Sequence, residues 1–362
     1  MQKRENGLDL MRIIAALFVV AVHVCTVQRK IVTSSEVLDF NYHFFSFMRH
    51  WAQSAVTVFI MVSGAFVIKG KSTRNYRAFY KKSWGKLVVP TIVFTIFYLF
   101  FEWLVYYRVG VYGSFLEEGV ALKSFILQVI LTLQGLPAEH MWYMYALIGL
   151  YILGPMLAYA NDNMTDKDFT ILAVVMCVWG VIDALTQPPI LNWGIGYVSR
   201  LLGIFMMGYV VHEWALKKSG NGLAIGLICA GVLVNVIEYI IHLLLLNNET
   251  FDEIIAPQRP YNALIVVTAM LYIAGFTILD IDTKLTYPSA LTYWVYLVHP
   301  AVMMIVFMIE SVALRIPYLE LGTTNMIISG VANTVIVYLL SFVVGHLIEK
   351  YVFGRKNKAK AQ

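Results

Sequence analysis

The stretch LDLMRIIAALFVVAVHV, residues 8–24, decides the fold class. It reads as a membrane helix, yet it carries Asp9, Arg12 and His23. Ionisable side chains are expensive in hydrocarbon. Where they persist they usually face a bundle interior or a water-filled cavity and mark a pathway or a site. Arg12 and His23 are 11 residues apart. At about 100° per residue this separation is about 20° more than three turns, so the two side chains share a helix face about 16 Å apart along the axis. Asp9, three residues before Arg12, falls on that face too. One polar stripe therefore joins the inner end of the helix to its outer half. Plainer readings exist. Arg12 can snorkel to the interface and pair with Asp9 or lipid phosphate, and His23 can be a structural histidine bonded to a neighbouring helix. The shared face favours a functional pair.

The rest of the chain has the same character. Of 362 residues, 59% are hydrophobic and 14% charged, and the mean hydropathy is +0.71. Soluble domains are about 45–50% apolar and about 25% charged, so the composition specifies an all-α polytopic membrane protein and excludes a nucleic-acid-binding one. Crossing about 30 Å of hydrocarbon takes about 20 apolar residues. Ten stretches qualify: 8–28, 51–69, 87–107, 141–160, 168–185, 198–214, 221–247, 261–279, 289–309 and 324–349. Residues 37–50 and 124–136 read as interfacial or re-entrant rather than spanning. With the N-terminus placed in the cytoplasm, 19 of the 27 Lys and Arg residues fall inside or at the inner end of the first helix, and 8 fall outside. That asymmetry puts both termini in the cytoplasm. Residues 1–350 then form one transmembrane domain and 351–362 a basic tail. Cys25, Cys177 and Cys229 lie in apolar stretches and read as packing residues rather than disulfide partners or metal ligands. No metal site is expected.

Further polar residues gather in the outer half under this topology: Glu102, Asp183, Arg200, Glu238 with His242 on the same helix face, and Glu139–His140 at the mouth of the fourth span. Singly each reads as structural. Together they suggest an outward-facing polar cavity able to hold a hydroxylated acceptor. Residues 69–86, KGKSTRNYRAFYKKSWGK, carry seven positive charges and no negative one. This loop either sets topology and attracts anionic lipid or binds a phosphate-bearing donor, with Arg74, Arg77, Lys82 and Lys86 as candidate contacts. His299 lies about mid-membrane before Pro300, which distorts the preceding turn and frees backbone carbonyls. It is either a core hydrogen-bonding residue or the wall of a cavity.

In this order, these residues resemble the acyltransferase family 3 of bacterial integral-membrane enzymes. The arginine–ten residues–histidine pattern of that family's first helix is Arg12 to His23. Its other motifs are matched by VFIMVSGAFV (58–67), FYKKSWGKLVVP (79–90), EHMWYMYALIGLYILGP (139–155), LLGIFMMGYVV (201–211) and YLVHP (296–300). Ser83 and Lys86 stand where many members carry arginine. The resemblance implies transfer of an acyl group, commonly acetyl, from cytoplasmic acyl-CoA to a hydroxyl of a sugar or cell-envelope glycan, in the inner membrane. No permanently bound cofactor is implied. His23 and Arg12 would be catalytic, with His23 either general base or acyl carrier. Glu139, His140, Trp142, Arg200, Glu238, Tyr296 and His299 would contact the acceptor. The competing class is a transporter of a small polar substrate lined by the same intramembrane residues. Its usual mark, an inverted repeat, is not visible in the sequence.

Overall fold

The computed structural model describes residues 6–33, 40–104, 139–185, 196–245, 262–318 and 321–353. Among them every regular element is helical. Numbered along the chain, they are α1 (Asn6–Thr33), α2 (Phe40–Ala52), α3 (Ser54–Lys69), α4 (Tyr76–Ser83), α5 (Val89–Leu104), α6 (Trp142–Asn163), α7 (Asp166–Leu185), α8 (Gly196–Leu216), α9 (Asn221–Leu245), α10 (Ala263–Ile278), α11 (Thr286–Met308) and α12 (Thr323–Leu347). Seven rods are long and apolar enough to cross a membrane: 6–31, 40–69, 76–101, 142–163, 221–244, 286–313 and 323–352. The other three sequence-predicted spans coincide with α7, α8 and the shorter α10. The protein is an all-helical polytopic membrane protein.

Residues 37–50 call for a correction. Residues 40–52 do not lie along an interface. They form α2, which leads into α3 through Gln53, and the combined rod 40–69 is among the most buried of the molecule. Its buried residues Asn41, Phe45, Ser46, Arg49 and His50 explain the amphipathic pattern: the polar residues face protein, not water. Segment 124–136 lies outside the described residues.

Two close approaches fix the centre. A Cβ on Gly64 would stand 1.8 Å from the Phe205 carbonyl oxygen, and one on Gly208 would stand 2.0 Å from that of Met61. Backbones of α3 and α8 therefore touch at both glycines, the small-residue packing expected where lipid supplies no hydrophobic drive between helices. Around this core, α1 packs on α2, α3, α10, α11 and α12. Peripheral helices turn large apolar side chains outward, as with Ile96, Val175, Leu233 and Leu339.

Prolines bend two helices where the site forms. Pro90 has no N–H for the Lys86 carbonyl, and the turn just before it, Trp84–Val88, widens into a π-helix. Pro300 sits inside α11 and likewise leaves the Tyr296 carbonyl without its helical donor.

Candidate active site

Three histidines from three elements meet inside the bundle. His23 comes from α1, His299 from α11, and His140 from the short 3-10 turn (Glu139–Met141) that opens α6. The His23 ring lies 5.0 Å from that of His299 and 6.4 Å from that of His140, centroid to centroid. His140 and His299 are 5.6 Å apart.

The bend at Pro300 orients His299. Its Nδ1 lies 2.8 Å from the freed Tyr296 carbonyl and 3.1 Å from that of Val295. Both partners are acceptors, so Nδ1 carries the hydrogen and donates. Nε2 then holds the lone pair, and it is buried with no hydrogen-bond partner. Two tyrosines brace the third ring. Tyr98 packs edge-on against His140 with centroids 4.8 Å apart, and its hydroxyl donates to the Leu297 carbonyl at 2.7 Å. The Tyr296 hydroxyl donates to the His140 carbonyl. His23 itself is only partly buried and has no hydrogen-bond partner among the described residues. Its imidazole is thus available to an incoming group.

A cavity of about 390 Å³ opens at the end of the bundle that carries the N-terminus. Arg12, Lys82, Ser83 and Lys86 line it, and Tyr143, Tyr293 and Tyr296 line its deeper part. Tyr296 joins the two regions. It lines the cavity, and its ring lies 5.9 Å from both His140 and His299. Lys82, at the end of α4, and Lys86, within the π turn, both line the cavity. Arg12 is held by Asp9, 3.2 Å away, and lies 4.8 Å over the Phe66 ring. The Asp9 carboxylate also accepts the Ser289 hydroxyl at 2.8 Å. This anchoring leaves Arg12 partly exposed to the cavity, rather than snorkelling away from the bundle.

The structure brings together only part of the predicted site. Arg12, Lys82, Lys86 and Tyr296 share the cavity; His23, His140 and His299 share the cluster beyond it. Arg74 and Arg77 do not line the cavity. Arg74 grips Asp162 through two bonds of 2.5 and 2.9 Å and donates to the Ile68 and Gly70 carbonyls. Its hydrogen bond to Asp162 raises the guanidinium pKa. Arg77 is exposed. Arg200 pairs with Asp183 at 2.6 Å between α8 and α7. Glu238 lies 3.1 Å from His50, with the His242 ring 4.4 Å from that of His50. Trp142 packs against Tyr143 beside the cluster. The side chains of Glu139 and Glu102 lie outside the described residues. Sequence reasoning missed Tyr98, Tyr143, Phe66 and Ser289, because aromatic and hydroxyl residues are common in apolar helices and nothing local distinguishes these. Among the described residues no group of three His, Cys, Asp or Glu side chains is arranged to hold a metal ion.

The helical bundle thus sets a histidine cluster next to a cavity with a basic mouth. Residues 5–350 match the acyltransferase 3 family, described as an acyltransferase domain. Nearly the whole chain belongs to that family, and it is a membrane acyltransferase. Neither a curated protein nor a solved structure matches it.

Proposed function

We propose that the protein moves an acyl group, in the first instance acetyl, from cytoplasmic acyl-CoA to a hydroxyl of a sugar or envelope glycan. The membrane is the cytoplasmic one, and both termini face the cytoplasm. The observation carrying this reading is the cavity that begins at Arg12, Lys82 and Lys86 and ends at Tyr296, the residue in contact with the histidine cluster. Cations at the mouth suit the phosphates of a CoA donor, and the narrow deep end suits its uncharged arm.

The acceptor oxygen attacks the thioester carbon and the carbon–sulfur bond breaks. The acceptor proton passes to His23 and then to the departing thiolate. His299, with Nε2 unpaired beside His23, can share that proton. A route through an acyl-histidine intermediate uses the same residues in two steps.

The test is purified protein in nanodiscs given acetyl-CoA and a panel of envelope glycans, followed by thiol release and glycan mass. Acceptor-dependent release with a gain of one acetyl group is the expected result. A protein that neither binds nor consumes acyl-CoA sinks the proposal.

A further inference from the structure

Beyond His23, towards the 34–39 connection, the packed faces of α1 and α2 enclose polar side chains that the acyl-transfer scheme does not use. Arg49 of α2 is 7% exposed, yet its Nε and one terminal nitrogen have no hydrogen-bond partner. Gln28 of α1 is fully buried with both amide atoms unpartnered, and the buried Ser46 hydroxyl is unpartnered too. Arg49 lies within electrostatic reach of His23 and Cys25 on α1. Gln28 is one turn beyond Cys25, and Ser46 is one turn from Arg49 along α2, both in the direction of the connection. Arg29, its guanidinium 5.8 Å over the Tyr42 ring, adds a second positive charge within reach of Arg49.

A buried guanidinium with unused donors is costly. The other buried arginine described in this bundle is compensated, Arg200 by Asp183, and even the partly exposed Arg12 is paired with Asp9. On α9 the buried Glu238 meets His50 through one carboxylate oxygen, while its other oxygen has no hydrogen-bond partner among the described residues, Arg49 included. Arg49 thus has the geometry of a site waiting for an anion: a planar fork, amide and hydroxyl groups about one turn away along the packed helices, and positive potential with no carboxylate closing it among the described residues. We propose that Arg49, with Gln28 and Ser46, is a subsite for an oxyanion of the acceptor, the carboxylate of a uronate or the phosphate of a sugar phosphate, which sets the accepting hydroxyl beside His23. This rests on the acyl-transfer reading for its role but not for its existence.

The experiment measures melting of the purified protein in neutral phosphatidylcholine nanodiscs, with acyl-CoA kept out of the anion arms and tested in an arm of its own. Glucuronate and glucose 1-phosphate are the probes, and glucose is the control. The expected result is a concentration-dependent upward shift with one or both anions and none with glucose. In Arg49→Met the shift disappears, while acetyl-CoA still shifts the melt as in wild type. Arg49→Lys retains a reduced shift, because the charge stays and the fork is lost. The ligand-free Arg49→Met protein should melt no lower than wild type, since an uncompensated charge has been removed. Ligand-free melting well below wild type would make Arg49 a structural residue and overturn the proposal. So would equal anion shifts in wild type and Arg49→Met, which place the anion elsewhere, or no shift in wild type. If only phosphatidylglycerol nanodiscs raise the melt in an Arg49-dependent way, the occupant is a lipid headgroup and the acceptor assignment falls. Loss of acyl-CoA turnover with the anion shifts intact would sink the transfer reading alone.

Discussion

Replacing His23 with alanine takes away the one ring of the cluster that is partly open and has no hydrogen-bond partner. The surrounding helices keep their packing, so the protein should insert and melt as wild type. Transfer should fall by about 10²–10⁴-fold, the usual contribution of a general base. Thiol release measured beside a melting curve checks both halves; wild-type rates in a folded His23→Ala protein would move the base to His299. The stripe of Asp9, Arg12 and His23 was legible in the sequence because helix periodicity alone places those residues on one face. The meeting of His23 with His140 and His299 was not, since it depends on how α1, α6 and α11 pack. The role of Pro300 was half legible. Loss of its N–H could be foreseen, but which side chain would take up the freed carbonyl could not.

Between helices, Gly64 and Gly208 make the most exacting contacts. Gly64→Val or Gly208→Val would drive side-chain carbons into a facing backbone, which cannot yield as a flexible side chain does. Overpacking of this kind costs typically about 1–3 kcal/mol and sometimes more. Each variant should show a lowered melting temperature and reduced yield. The π turn before Pro90 makes a separate expectation. Lys82→Ala and Lys86→Ala should raise the KM for acyl-CoA and flatten its dependence on salt, because each removes a screened charge from the cavity mouth. Arg74→Ala should leave that KM unchanged and affect stability only slightly, since its partner Asp162 is solvent-exposed. Initial rates across a salt series separate these outcomes. In the sequence Arg74, Arg77, Lys82 and Lys86 looked equally suited to a donor; only the fold sets Lys82 and Lys86 at the cavity and commits Arg74 to α6. The pattern of residues 40–52 misled for a related reason. An amphipathic helix with arginine and histidine on one face looks interfacial, until a neighbouring helix covers that face.

At the scale of the whole molecule, Lys and Arg asymmetry sets an orientation that labelling can test. Tags at Gln362 and within residues 69–86 should be reached only from the cytoplasmic side, and one within 248–260 only from the other. An externally accessible C-terminus would require an odd number of spans and undo the depth assigned to every polar residue. The apolarity of the long helices could be read directly from hydropathy, because the bilayer demands length above all else; of the ten stretches so read, seven coincide with helices long and apolar enough to cross. Which helices occupy the centre could not: α3 and α11 are buried and α9 and α12 peripheral at comparable hydropathy. The tyrosines at the deep end of the cavity have one more consequence. Tyr143 and Tyr296 stand between the cavity and the histidines, so under the proposed transfer the only thing that needs to pass them is a small uncharged fragment. The bundle then works as an electrical insulator as well as a catalyst. An ion slipping through would dissipate about 2.3 kcal/mol per charge at 100 mV. Liposomes carrying the protein should hold an imposed potassium diffusion potential as long as empty ones do, even while acyl groups are crossing.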